Sequence, residues 1–139
     1  MKPVVLALAV MLAVPAAAAA APNEPADPIR VELNSAESTQ GRCRMSFVIE
    51  NKGEAAIDSL KLDFAVFGTN GVVQRRLVAE LGPLRRAKTV VKAFEIEGDC
   101  AAIGSLLVND VTACAPGDAG ACLDRLDLAS RLTNVRFFK

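Results

Sequence analysis

Histidine is absent from all 139 residues, and so are tryptophan and tyrosine. The first absence excludes serine–histidine–aspartate and cysteine–histidine catalysis, imidazole acid–base chemistry and the commonest transition-metal ligand. The other two leave phenylalanine, present six times, as the only ring available to fill a core. Charge of one sign is also lacking. Sixteen basic residues stand against sixteen acidic ones, a balance that points away from nucleic acid and from an anionic membrane surface. There is no C-x-x-C redox pair and no D-x-D-x-D-G calcium loop. Beyond the opening residues there is no internal repeat and no long apolar pattern of helical period.

What is present begins with MKPVVLALAVMLAVPAAAAAAP. Lys2 precedes an apolar run, Val4 to Val14, and an alanine tract, Ala16 to Ala21, follows. A charged start, an apolar middle and a small-residue cleavage site are the order of a secretory signal peptide. The run is shorter than the roughly 20 residues that a membrane-spanning helix needs. No twin arginine precedes it, which favours the general secretory route, and no cysteine near the cut offers a lipid anchor. The expected organisation is a signal peptide over residues 1–20, a proline-rich extended leader over 21–28 and one domain over 29–139. A periplasmic location follows, with no integral membrane span once the signal is removed.

Export gives the four cysteines a meaning, because disulfides persist in an oxidising compartment. Cys43, Cys100, Cys114 and Cys122 allow three connectivities. The Gly- and Pro-rich turn in TACAPGDAGACLDR favours Cys114–Cys122, closing a hairpin loop, and leaves Cys43–Cys100 as the second bridge. C-x7-C is not a zinc spacing. The cysteines therefore read as staples, and neither a metal site nor a cofactor is expected.

Period-two alternation dominates the rest, as half-buried strands require. Ile29, Val31 and Leu33 alternate with Arg30 and Glu32. Cys43, Met45, Phe47 and Ile49 share one face of a second strand, and Leu60, Leu62, Phe64 and Val66 one face of a third. Asn51-Lys52-Gly53 and Thr69-Asn70-Gly71 mark turns. Further strands are expected over 72–81, 89–96, 105–113 and 126–138, with a short helical turn near 99–104. About seven short strands separated by turn signals describe a small all-β sandwich with Phe47, Phe64 and Phe94 as its large core residues.

The stretch FVIENKGEAAIDSLKLDFAVFGTNGVV, Phe47 to Val73, resembles exported immunoglobulin-like modules of the FxLYD and CARDB kind. Asn51, Gly53, Phe67, Gly71 and Val73 fall on their pattern. The longer string, through RRLVAELGPLRRAKTVVKAFEIEGDC and LLVNDVTAC, is similar to uncharacterised exported alphaproteobacterial proteins, some labelled by the Tat pathway signal sequence. The resemblance implies an immunoglobulin-like sandwich in the envelope and carries no active site.

Three polar features invite a function. The first is a basic cluster, Arg75, Arg76, Arg85, Arg86, Lys88 and Lys92, with Glu80 the only acid from Arg75 to Lys92. It could dock an acidic partner surface, or protect strand edges. Across a hairpin, Glu80 opposite Lys88 would set Arg76 against Lys92; like charges so placed repel, so either another register or two separate sheets is required. The second is a set of acids with one amide, Asn109-Asp110, Asp118, Asp124 and Asp127, that could hold a cation or a small ligand. The third is Asn109-Asp110 inside an apolar strand, where one residue must point inward or sit at a bulge. The expected function is a non-enzymatic binding or accessory module whose partner is another envelope protein. The alternative is a periplasmic protein that binds a small ligand or a divalent cation.

Overall fold

The computed structural model describes residues 25–139. The expected signal peptide and the first part of the leader lie outside the described residues. Alternating apolar positions form strands because only one side of each faces the core. In β2 (Arg42–Asn51), Cys43, Met45, Phe47 and Ile49 are buried, while Arg42 and Arg44 are exposed. The same logic builds β1 (Ile29–Thr39), β3 (Ser59–Gly68), β4 (Val73–Glu80), β5 (Lys88–Glu97) and β6 (Ile103–Ala115).

Two four-stranded sheets result, a first ordered β5-β2-β1-β7 and a second ordered β4-β3-β6-β8. Here β7 is Leu126–Ser130 and β8 is Arg136–Phe138. The final strand expected over 126–138 is therefore two strands in different sheets, β7 parallel to β1 and β8 parallel to β6. Its apolar residues serve both layers, so alternation alone could not reveal the step between them. The segment TACAPGDAGACLDR also differs from expectation. It is no hairpin loop but a crossover from β6 in the second sheet to β7 in the first, carried by α1 (Ala119–Arg125). Asp118 caps that helix by accepting from the Ala121 N–H. The expected helical turn is a 3-10 turn over Cys100–Ala102.

The disulfides pair Cys43 with Cys100 and Cys114 with Cys122. Each ties a strand to a sheet-to-sheet crossover, β2 to the 3-10 turn and β6 to α1. The core between the sheets centres on Phe47, whose ring lies 5.9 Å from Phe64 and 5.8 Å from Phe137. Phe94, at 6.0 Å, completes the group from a partly buried position. Asn51, fully buried, holds the turn after β2: its amide donates to Ala55 O and its carbonyl accepts from the Gly53 N–H.

β6 runs 13 residues against the 10 of β3, and the surplus is absorbed as three bulges at Thr112, Asn109 and Gly104. At Gly104 a side chain would collide with the backbone, its Cβ meeting Gly68 O at 2.7 Å. Among the described residues no helix is long and apolar enough to cross a membrane.

Candidate interaction surface

β4 and β5 follow each other in sequence but lie in different sheets, each at a free edge. This resolves the like-charge conflict that a hairpin would create. The loop Leu81–Ala87 joins them along one flank of the sandwich, pinned where Ile57 and Leu84 exchange backbone hydrogen bonds at 2.8 and 2.7 Å.

The six basic residues separate by direction. Arg85, Arg86 and Lys88 are exposed on the loop and at the start of β5. Arg75 stands opposite inward-facing Val66, and Lys92 opposite inward-facing Phe47, so both half-buried side chains point toward the gap between the sheets. Lys92 Nζ donates to Gly82 O at 3.2 Å. Inward charges of this kind discourage indiscriminate edge pairing. Among the described residues, ion pairs occupy only Arg76, to Asp63, and Arg86, to Glu54 at 3.2 Å. The Glu54 side chain is 82% exposed, which leaves the second pair weak. Arg75, Arg85, Lys88 and Lys92 carry no ion pair among the described residues.

Arg76 has a separate task. It points to the outer face of the second sheet and donates to Asp63, whose side chain is only 8% exposed. Asn109 donates to the same carboxylate oxygen at 2.8 Å. The bulge in β6 makes this possible, because it turns both Asn109 and Asp110 outward between the buried Val108 and Val111. Arg76 holds the Asp63 carboxyl below the usual aspartate range, Asn109 adding to the effect against burial, which pushes the other way. Asp63 went unnoticed in the sequence as a site residue. Its signal was an acid in a strand destined for the middle of a sheet, matched by an amide in the neighbouring strand.

Glu80, at the other end of β4, is exposed as a residue but its carboxyl is partly desolvated, which pushes it up. The N–H groups of Leu60 and Gly82 and the Ser59 hydroxyl outweigh this and bring it below the usual range. It anchors the start of the β4–β5 loop.

The acids from Asp110 to Asp127 are not gathered. Asp110 accepts from Val111 N–H, Asp118 caps α1, and Asp127 pairs with Arg30 at 2.8 Å. Among the described residues no three metal-ligating side chains converge. Shallow clefts of about 510 and 630 Å³ flank α1, the second reaching Glu54, the partner of Arg86.

No family model, curated protein or solved structure matches this chain.

Proposed function

We propose that this protein is an exported, non-enzymatic binding module whose β4–β5 flank docks on an acidic surface of another envelope protein. One observation carries the reading: Arg75, Arg85 and Lys88, with weakly paired Arg86, concentrate positive charge on a protein of zero net charge. An uncompensated patch of one sign steers and orients a partner of the other sign. The complete lack of histidine supports a non-enzymatic role. The disulfides accord with a periplasmic setting, and the resemblance of Phe47–Val73 to exported modules supports an immunoglobulin-like sandwich.

The test is capture by crosslinking from the envelope of cells carrying a tagged copy, followed by mass spectrometry. Arg76 must be left intact, because its partner Asp63 belongs to the fold. Arg85→Glu, Arg86→Glu and Lys88→Glu together, all exposed, should abolish capture of an acidic protein at an unchanged melting temperature. Capture that survives the triple reversal refutes the docking surface.

A further inference from the structure

Of the four edge strands, β7 and β8 have five and three residues and offer little to pair with. β4 and β5 are longer, and their backbone directions can be read. Leu81 N–H donates to Leu60 O. Peptide groups alternate along a strand, so those of Leu77 and Ala79 also point to β3, while those of Arg76, Val78 and Glu80 point to the free edge. By the same reasoning, Gly98 N–H donates to Gly41 O, and β5 turns Thr89, Val91, Ala93, Glu95 and Glu97 to its edge. The charged members of the β5 set are all carboxylates. The β4 set is different: Arg76 and Glu80 lie symmetrically about Val78, which is 57% exposed.

We infer that β4 pairs antiparallel with β4 of a second copy of this chain, Val78 facing Val78 across a two-fold axis. In that register Arg76 of each copy stands opposite Glu80 of the other, on the same outer face. Both remain able to pair. One Arg76 nitrogen serves Asp63, which leaves its other donors free, and Glu80 Oε2 accepts only from Ser59. On the inner face Leu77 meets Ala79. Neighbouring registers lose this match: centring on Arg76 opposes two arginines, and centring on Ala79 sets Val78 against Glu80. The bulge at Gln74 limits the flat stretch to the residues that match. Because the contact is isologous it closes at two copies, whereas β4 on β5 would be heterologous and open-ended. The dimer joins two second sheets into one of eight strands and sets two basic flanks on a common axis.

Sedimentation of the purified protein at up to about 0.5 mM, enough to populate a weak dimer, should show concentration-dependent dimers. Val78→Lys, which opposes two ammonium groups at the axis while facing Asp63 within its own copy, should weaken them by about tenfold. A hydrogen-bonded antiparallel pair has its Cα atoms about 5.5 Å apart, within disulfide reach. Val78→Cys should therefore form a covalent dimer on mild oxidation, while Val91→Cys on the β5 edge stays monomeric. Both sites are exposed, so each variant should keep the wild-type melting temperature. A monomer at every concentration overturns the proposal. So does crosslinking of Val91→Cys in place of Val78→Cys, or crosslinking of Val78→Cys only when mixed with Val91→Cys.

Discussion

Where β2 and β5 pair, the first sheet meets solvent through ion pairs that are themselves exposed, whereas the second sheet holds one carboxylate almost out of reach of water. On the first, Arg42 pairs with Glu95 at 3.1 Å, and Arg44 reaches the same carboxylate at 3.8 Å. Arg44 faces Glu95 directly and Arg42 reaches it diagonally, across a β2–β5 register that runs unbroken from Arg42 to Asn51. On the second, Asp63 draws Arg76 from one neighbouring strand and Asn109 from the other, and β6 must bulge to supply the amide. Exposed pairs in water are individually weak, while a buried charge that loses its partner is costly. The β2–β5 face should therefore tolerate changes that the face around Asp63 does not.

That contrast can be tested from the largest effect downward. The deepest constraint belongs to the first sheet. Replacing Cys43 and Cys100 by alanine releases a loop of 57 residues' separation and should cost about 4 kcal/mol on the chain-entropy model. Urea unfolding of the pair variant measures it, and a loss below about 1 kcal/mol would show that the crossover holds itself. Next comes the Asp63 cluster. Arg76→Ala leaves the largely buried Asp63 carboxylate without its cation and should lower the melting temperature measurably, whereas Asp63→Asn should be milder.

The pH dependence follows from the direction of the Asp63 shift. The folded carboxyl releases its proton more readily than the unfolded one, so its contribution is complete above the ordinary aspartate value of about 3.9. It is lost as the pH falls through the depressed folded value. Unfolding at pH 6 and pH 3 should differ less for Asp63→Asn than for the wild type; equal differences would remove Asp63 from the acid response.

The short disulfide ranks third. Cys114→Ala with Cys122→Ala opens a loop of only 8 residues' separation and should cost about 2.5 kcal/mol, read as a fall in melting temperature. The smallest effect is expected on the open face of the first sheet. Arg42→Ala should change stability by about 0.3 kcal/mol, and a loss beyond about 1 kcal/mol would erase the contrast between the two faces.

Much of the fold was legible because burial on one side imposes a two-residue period. The alternation of Cys43, Met45, Phe47 and Ile49 marks the inner face of β2, and that of Leu60, Leu62, Phe64 and Val66 the inner face of β3. The favoured pairing of the cysteines holds, although the hairpin that suggested it is a crossover through α1. Less legible was the partition of strands between sheets. Leu126, Leu128 and Phe137 face a common core whichever layer they join, so the split of 126–138 left no mark in the alternation. The basic cluster was visible as composition, but its division was not. Arg75 and Arg76 are neighbours in sequence and opposite in direction, one toward the gap between the sheets and one toward Asp63.

The sequence by itself determined the β-sandwich and the absence of histidine-based chemistry, because each depends on residue type and short-range spacing. Only the tertiary structure decided which strand lies beside which. It separated β4 from β5, brought Asn109 within reach of Asp63 across 46 positions of chain, and left Arg76, Val78 and Glu80 along an open edge. Those are long-range choices. They depend on how two layers close over one core, and no local pattern of apolar and polar residues encodes that.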